Sequence, residues 1–388
     1  MKFNRITIEG YRRLLSVKLQ MRPLTVAIGA NGVGKTSFLE IFSLLAASAK
    51  GQLQSKISEL SGLSEVITRD RANSLSISLG ISSPDGESLD YNLKIAPKGQ
   101  FYEIELEALT RAIREQKKKA LLNYIISDAN DIHYYAYNDD YTFMQDLPIN
   151  WEHNGYETSL AQVPKTQQEP ESFRRILASC NFYAAWQLNV GQRSPIRLPQ
   201  SMRPATLPGY NGEDLVSCLY YLREVYPERF EIIEDTLAAG FPDFEKLSFP
   251  PVAAGTLAMT WKDKNFSQPL YMHQLSEGTL RFLWLIAILI SPDLTAVTLI
   301  DEPEVSLHPE LLQLLAELMR ETSKRTQLIV ATHSDRLIRF LEPHEVLICD
   351  AEDGATTMNW ADSLDLEKWL EDYSLDEIWA MNLMGGRP

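Results

Sequence analysis

The chain has 388 residues, 45% apolar and 23% charged, which is the balance of an ordinary globular protein. Its longest apolar run, residues 282–290, is about half of a membrane span, so we expect no membrane segment and a cytoplasmic location. The formal net charge of −15 argues against a protein whose whole surface binds nucleic acid, but it does not exclude a local basic groove. Three separated cysteines and six scattered histidines form no disulfide or metal pattern.

The first fifty residues predict a strand, a turn and a helix in the order typical of a phosphate site. Alternating polar and apolar residues at 3–9 and 15–20 predict a hairpin. The β-prone run Leu24–Ile28 then leads into a glycine-rich turn, and residues 36–47 carry apolar side chains at helical spacing.

The middle of the chain predicts antiparallel strands followed by less regular structure. Residues 74–83, 89–95 and 101–105 alternate between polar and apolar and are separated by Pro-Asp-Gly and Pro-Lys-Gly turns. We expect a helix over roughly 106–126, and loops with one or two short strands over 128–172.

The last part of the chain predicts a mixed α/β structure. Residues 214–237 have helical spacing, residues 245–350 alternate between strands and helices, and a short helical tail is expected at 366–383. No repeat and no long heptad array occurs, so no coiled-coil arm is expected.

The glycine-rich turn at 29–36 has the GxxxxGKT pattern of a phosphate-binding loop. Its glycines let successive backbone N–H groups face phosphate oxygens, and the next helix adds the positive end of its dipole. Lys35 would neutralise phosphate charge, and the Thr36 hydroxyl would bind Mg²⁺. The predicted nucleotide-binding residues are Asn31, Gly32, Val33, Gly34, Lys35, Thr36 and Ser37.

Two buried strands end in side chains suited to hydrolysis. Asp301 and Glu302 follow the apolar run 297–300, at the sheet edge where ligands of open α/β folds bind. Asp301 would hold Mg²⁺ through its water shell, and Glu302 would polarise the attacking water. His333 follows another apolar run, where a neutral imidazole can hydrogen-bond the γ-phosphate or that water.

A second anion site is predicted at the start of an apolar helix. Leu275, Ser276, Glu277 and Gly278 form an LSxG pattern whose serine and glycine backbone would cap the helix at 280–290. Because the chain has one phosphate-loop motif, this second site needs a phosphate from another molecule.

The order of these motifs resembles the ABC ATPase superfamily. The closer likeness is to SMC, RecF and OLD-type heads and to the small stand-alone AAA family ATPases of bacterial anti-phage defence systems. The opening segment 6–12, Asn31 and the segment 304–309 are also similar to those heads. The resemblance implies an α/β fold, an ABC-type P-loop NTPase head with an antiparallel β subdomain and a largely helical insert.

The resemblance divides the chain into three parts. Residues 1–48 would form the N-terminal half of the head and residues 49–245 the insert. Residues 246–388 would form the C-terminal half, with the signature, the acidic strand, the histidine and the tail.

The resemblance also implies a site shared between two copies that uses ATP and Mg²⁺. The signature of one copy would close over ATP on the phosphate loop of another, and Ser306, at the D-loop position, would reach across the same interface. We therefore expect a homodimer or a higher oligomer. Thr279, where transporters usually have glutamine, and the large insert disfavour a transporter. The sequence does not place the glutamine that such heads carry between their halves; Gln187 and Gln192 are candidates, and otherwise they are ordinary polar loop residues.

The motifs and the resemblance leave three functions to compare. A free-standing nuclease is disfavoured, because the 55 residues after His333 are too few for a TOPRIM domain. The preferred function is the sensor ATPase of an anti-phage system that acts with a separately encoded effector, such as a TOPRIM-like nuclease. The alternative is a DNA repair or scanning ATPase with a basic groove. That groove would use Arg111, Arg114, Lys117 to Lys119, Arg193, Arg197 and Arg203, which otherwise are solvated helix and loop residues.

The end of the chain is more apolar than a free tail should be. Trp379, Met381, Leu383 and Met384 are therefore expected to pack on the head or on a partner.

Overall fold

The computed structural model describes residues 2–82, 87–115, 118–128, 131–137, 144–149, 151–184 and 194–386. The strands are β1 (Arg5–Tyr11), β2 (Leu14–Gln20), β3 (Leu24–Ile28), β4 (Leu75–Ser82), β5 (Ser88–Lys98), β6 (Phe101–Glu115), β7 (Lys118–Asp128), β8 (Ile132–Tyr137), β9 (Met144–Leu147), β10 (Asn181–Ala184), β11 (Gln200–Ser201), β12 (Phe244–Ser248), β13 (Pro251–Ala253), β14 (Thr256–Leu257), β15 (Thr260–Asp263), β16 (Leu270–Tyr271), β17 (Val297–Asp301), β18 (Gln327–Ala331), β19 (Val346–Glu352) and β20 (Ala355–Trp360). The α-helices are α1 (Lys35–Ala49), α2 (Leu53–Glu59), α3 (Leu63–Val66), α4 (Gln168–Ala178), α5 (Leu215–Val225), α6 (Pro227–Gly240), α7 (Glu277–Ile290), α8 (Glu310–Ser323), α9 (Asp335–Ile338), α10 (Glu367–Leu370) and α11 (Leu375–Ala380).

A six-stranded sheet with the order β10-β17-β18-β3-β19-β20 forms the centre of the head. All its pairings are parallel except that of β19 with β20. Its central strands β3, β17 and β18 are buried on both faces because helices cover both sides, as is usual for parallel sheets. Val297 and Leu299 of β17 pack in the cluster that contains α1, while Ile300 packs with α7 and α8. The sheet thereby directs the ends of β3, β17 and β18 to one edge.

An antiparallel sheet with the order β2-β1-β4-β5-β6-β7-β8-β9 lies beside this core. The predicted hairpin at the start of the chain is present as β1 and β2. The strands predicted at 74–83 and 89–95 correspond to β4 and β5, and the strand predicted at 101–105 is the first part of β6. The stretch 128–172 contains the short strands β8 and β9, and also the start of α4, which was not expected.

The helix expected over 106–126 is wrong, because β6 and β7 pair as a long antiparallel hairpin. Glu105 is an extra residue opposite β5, and this β-bulge moves the inward-facing positions of β6 from even to odd numbers. Buried side chains therefore fall at Ile104, Glu107 and Leu109. The spacing between these buried positions, three residues and then two, resembles the spacing of a helix. The segment is nevertheless a strand because it pairs with β5 and β7.

Buried Glu107 joins this antiparallel sheet to the head. Its carboxylate accepts hydrogen bonds from the backbone N–H groups of Ser159 and Leu160 and from the Tyr91 hydroxyl. The same segment reaches α1, since the Thr158 hydroxyl donates to the backbone carbonyl of Ser48. A buried carboxylate with three donors is fully partnered and fixes the sheet on α1.

The C-terminal tail forms the two short helices α10 and α11. Trp379 and Met384 are buried on the head, whereas Met381 and Leu383 stay exposed. The indole N–H of Trp379 donates to the carbonyl of Gly386, and the Gly386 N–H donates to the Asp350 carboxylate at the end of β19. The expectation that the tail packs on the head therefore holds for part of its apolar residues. No helix in the described part of the chain is long and apolar enough to cross a membrane.

Candidate nucleotide-binding site

A cleft of about 440 Å³ opens at the carboxyl ends of β3, β17 and β18, within the size range of small-molecule sites. It brings together the phosphate loop, Glu302 directly after β17 and His333 two residues after β18, as the sequence predicts. The residues that line it are Arg12, Arg13, Asn31, Gly32, Gly34, Lys35, Thr36, Ser37, Glu302 and His333. Val33 is buried beneath the loop, where its carbonyl accepts a hydrogen bond from the Thr356 hydroxyl.

Lys35 is the first residue of α1 and is buried in this cleft. Its ammonium group donates to the carbonyl oxygens of Gly29 at 2.6 Å and Ala30 at 2.9 Å, and lies 3.2 Å from Nδ1 of His333. Burial lowers the pKa of Lys35, which a bound phosphate would counteract. The cation is therefore held at the loop, beside the place where phosphate oxygens would bind.

Thr36 and Asp301 face each other across the floor of the cleft. The Thr36 hydroxyl lies 3.2 Å from Asp301 Oδ2. Burial, followed by the nearby charge of Glu302, raises the pKa of Asp301 from 3.8 to about 6. A hydroxyl and a carboxylate whose charge is poorly neutralised form a donor set that suits a hard cation such as Mg²⁺.

The metal would need further ligands from outside the protein. Among the described residues, no group of three His, Cys, Asp or Glu side chains could hold a metal ion. Phosphate oxygens and water would therefore have to complete the coordination, as is common for Mg²⁺.

Glu302 has a backbone conformation that is unusual for its residue type. Its φ is 51°, in the left-handed region, and its N–H donates to the carbonyl of Ala331 at 2.8 Å. Such a conformation costs roughly 1–3 kcal/mol and clusters at functional sites. Its Oε1 lies 3.7 Å from Nε2 of His333. The two groups expected to handle the attacking water are thus neighbours.

His333 is held by a residue whose role the sequence did not reveal. Oε1 of Glu304 accepts the backbone N–H of His333 at 3.1 Å and the Thr332 hydroxyl at 2.7 Å. Burial raises the pKa of Glu304. Burial, together with the charge of Lys35, lowers the pKa of His333, so its imidazole is neutral at pH 7. The signal available in the sequence was a third carboxylate directly after the Asp-Glu-Pro motif.

Arg12 and Arg13 also line the cleft, and the sequence motifs did not predict them as site residues. They lie in the turn between β1 and β2, where Arg12 has φ 48° and pairs with Glu40 at 3.3 Å. The carbonyl of Arg13 accepts the N–H of Thr356 from β20, which fixes the turn next to the phosphate loop. Two adjacent arginines at a hairpin turn were the available signal, but only the fold places them beside the loop.

The signature residues lie away from this cleft. Ser276 caps α7, and its hydroxyl accepts the N–H of Thr279 at 3.1 Å. Leu275, Ser276 and Thr279 line a separate cavity of about 310 Å³, which Phe241 and Trp261 also line. No described residue lines both cavities.

The loop after the acidic strand lies against the signature loop. Ser306 has φ 65°, and its hydroxyl donates to Glu277 Oε1 at 3.0 Å. A side chain at Gly278 would overlap the carbonyl oxygen of Ser306, so this close approach requires glycine. Ser306 and the signature therefore form one surface of the chain.

Arg197, predicted as part of a basic groove, supports this surface instead. Its guanidinium donates to the carbonyl oxygens of His273 and Leu275 at 3.2 Å and 2.9 Å. Gln187 and Gln192 lie outside the described residues. The strand before them, β10, pairs in parallel with β17 and ends opposite Asp301.

Comparison with known proteins identifies the family. A family model described as "AAA domain, putative AbiEii toxin, Type IV TA system" matches residues 24–339, most of the chain. The chain belongs to this family. No curated protein matches the sequence of this AAA domain.

Solved structures share the fold of this AAA domain. An SMC head bound to the C-winged helix domain of ScpA has 14% identity and a TM-score of 0.56, and the match covers 96% of this chain and 100% of that one. A Pyrococcus furiosus SMC head with an extended coiled coil, bound to the C-terminal domain of ScpA, has 13% identity and a TM-score of 0.53, with 97% and 99% covered. These matches confirm the predicted fold, an ABC/SMC-type P-loop ATPase head.

Proposed function

We propose that this AAA domain binds Mg-ATP and hydrolyses it at sites completed by a second copy of the chain. The observation that carries this proposal is the separation of the two anion sites. Lys35 and Thr36 lie in one cleft, while Ser276 lies in another cavity. One chain therefore offers half of each site, and a face-to-face pair would offer two complete sites.

The chemistry follows from the groups around the cleft. The backbone of the phosphate loop and Lys35 would bind the β- and γ-phosphates. Thr36 and Asp301 would hold Mg²⁺, which neutralises charge on the phosphates as the bond to the leaving group breaks. Glu302 would polarise the attacking water, and neutral His333 would hydrogen-bond that water or the γ-phosphate. The closeness of the His333 ring to both Lys35 and Glu302 supports this role for the histidine.

The partner copy would supply the remaining contacts to the γ-phosphate. Ser276 and the backbone at Gly278, at the N-terminus of α7, form a donor set for an anion. Because Ser306 is bonded to Glu277, the D-loop and the signature would move as one surface. ATP binding would then join two heads, and hydrolysis would separate them.

We further propose a regulatory role in an anti-phage system, with a separately encoded effector protein as the partner. The family description names a toxin of a toxin–antitoxin system, which is a system with two components. The structurally similar SMC heads are titled as bound to another protein, ScpA. Both support an output that lies in a second polypeptide.

DNA repair or scanning is the weaker candidate. Arg111, counted toward the basic groove, is paired with both Glu87 and Glu169, and Arg203 is paired with Asp214. A guanidinium already bonded to carboxylates contributes little to phosphate binding. Lys117 and Arg193 lie outside the described residues, as do the side chains of Arg114, Lys118 and Lys119.

A mixing experiment tests the shared site directly. Lys35→Ala removes one half-site and Ser276→Arg blocks the other, so each variant alone should have no turnover. In an equal mixture, half of the dimers are mixed and each has one intact site, so about a quarter of the wild-type activity should return. Activity in Ser276→Arg alone, or no recovery on mixing when both variants are folded, would overturn the shared-site proposal.

A further inference from the structure

Exposed aromatic, apolar and acidic side chains occur together in the C-terminal tail, within residues 362–383. Five large apolar side chains within residues 369–383 are between 37% and 43% exposed. Exposed apolar groups that cluster in this way mark interaction sites, while isolated ones need no explanation. The five are Trp369, Leu370, Tyr373, Met381 and Leu383, and we call them the tail surface.

The tail surface adjoins tail residues that are packed in the head. Leu375, Ile378 and Trp379 are buried in the core of the head. The Trp379–Gly386 hydrogen bond closes the tail, and Asp350 on β19 holds the Gly386 N–H at 3.2 Å. On the exposed side, the rings of Trp369 and Tyr373 contact each other at 6.2 Å. A surface that is ordered before binding costs little conformational entropy to occupy.

Acidic residues are interspersed along the sequence of the tail surface. Residues 362–377 contain seven acidic side chains and one lysine, Lys368, so their formal charge is −6. Within the part of the chain that the structure describes, none of Asp365, Glu367, Glu371 and Asp372 forms an ion pair with a basic side chain. This charge would repel nucleic acid and anionic lipid headgroups, and would attract a cationic protein segment.

We propose that the tail surface is a docking site for a segment of a protein partner that carries lysine or arginine around apolar anchors. Trp369 and Tyr373 would supply the apolar contact, and Glu367, Glu371 and Asp372 would supply the charge. Aromatic anchors with a charged rim are the common anatomy of protein interfaces. This inference rests on the proposed function only for the existence of a partner protein.

A designed peptide tests the chemistry without knowledge of the natural partner. The probe is a fluorescent amphipathic helix of about 18 residues, with leucine and tryptophan on one face and lysine on the other. Its binding to the full chain is measured by anisotropy at physiological salt and without nucleotide. Wild type should bind, and Trp369→Ala with Tyr373→Ala should weaken the affinity at least tenfold.

A charge exchange separates a docking site from general attraction to an acidic protein. The variant with Glu367→Lys, Glu371→Lys and Asp372→Lys should lose the lysine peptide and gain a peptide in which glutamate replaces lysine. The control alters an exposed aromatic and a carboxylate of another strand, with Phe101→Ala and Glu105→Lys on β6, and should bind like wild type although it also removes the Lys94–Glu105 ion pair.

Each outcome decides the inference. Equal binding by wild type and the tail variants, or an equal loss in the β6 control, would overturn it. Thermal unfolding of each variant checks that the fold persists. ATP turnover is assayed separately, so a chain that binds the peptide but does not hydrolyse ATP would reject the proposed function and keep the docking site.

Discussion

Ser306 and Glu277 are joined by a 3.0 Å hydrogen bond that ties the loop after the acidic strand to the signature loop of the same chain. The buried guanidinium of Arg281 donates to the same carboxylate oxygen at 3.2 Å. The Glu277 carboxylate is therefore held by two donors, the Ser306 hydroxyl and the Arg281 guanidinium of α7. In a face-to-face pair this carboxylate would set the geometry that one copy presents to the ATP of the other.

Replacing Glu277 tests that geometry. Glu277→Ala should lower turnover at least tenfold, because Ser306 loses its acceptor while the phosphate loop is untouched. ATP affinity of the isolated chain should stay within about twofold of wild type. Steady-state turnover and fluorescent-nucleotide binding measure the two effects. Glu310→Ala, an exposed change in the first turn of α8, is the control and should alter neither. A parallel loss of ATP affinity would contradict this separation.

Glu302→Gln should abolish turnover and retain ATP. The amide keeps the size and the left-handed backbone of Glu302 but cannot polarise water as a carboxylate does, so we expect a loss of at least about a hundredfold. Dimers formed with Mg-ATP should dissociate more slowly, which sedimentation after nucleotide dilution would show. Lys35→Ala should instead lose nucleotide binding. Turnover near wild type in Glu302→Gln would assign the water to another group.

Gly278→Ala probes the close contact with Ser306. A Cβ at this position overlaps the carbonyl oxygen of Ser306, so the two loops must separate. Turnover should fall severalfold or more, with ATP binding by the phosphate loop unchanged. Gly155→Ala is the matched control, since nothing lies within 4 Å of its added Cβ. If both alanine variants turned over ATP equally well, the contact would have no functional importance.

The raised pKa of Asp301 predicts a pH-dependent stability without Mg²⁺. Its folded-state pKa of about 6 exceeds the ordinary value of 3.8, so the folded protein binds the proton more tightly than the unfolded chain does. The free energy of unfolding therefore falls as pH rises between these two values. The full loss of stability from the buried, ionised Asp301 is reached above about pH 6. Asp301→Asn should raise the Tm of the nucleotide-free protein at pH 7.

Magnesium should reverse this dependence. A Mg²⁺ ion held by Asp301 would neutralise its charge, so Mg-ATP should raise the Tm of wild type more at pH 7.5 than at pH 5. Asp301→Asn should gain much less from Mg-ATP at either pH. Thermal unfolding at the two pH values, with and without Mg-ATP, measures these shifts. Equal Mg-ATP shifts in both proteins would place the metal away from Asp301.

The parts of the fold predicted from sequence are those whose signals are local. The phosphate loop needs glycines, a lysine and a threonine in one short run, and that run is readable wherever it lies. The antiparallel sheet was harder, because the extra residue Glu105 changes the alternation of β6 and a single strand gives no sign of its neighbours. Helical spacing was the simpler interpretation of the same residues.

The arginines show a second limit of sequence reasoning. Arg111 and Arg197 have the same chemistry, yet one bonds two carboxylates and the other bonds the carbonyl groups before the signature. Arg13, which no motif marked, lies in the nucleotide cleft. The acceptor that an arginine bonds depends on contacts between segments far apart in the chain. The local spacing of residues does not predict those contacts.

The position of β3 in the central sheet has a consequence for synthesis of the chain on the ribosome. Its two neighbours are β18 and β19, which are made about 300 residues after it. At 5–20 residues per second, the apolar strand at Leu24–Ile28 waits roughly 15–60 s for partners. During that interval the antiparallel sheet and α1 can already assemble around β1 and β2. The nucleotide cleft, in contrast, can form only when the last strands of the head emerge.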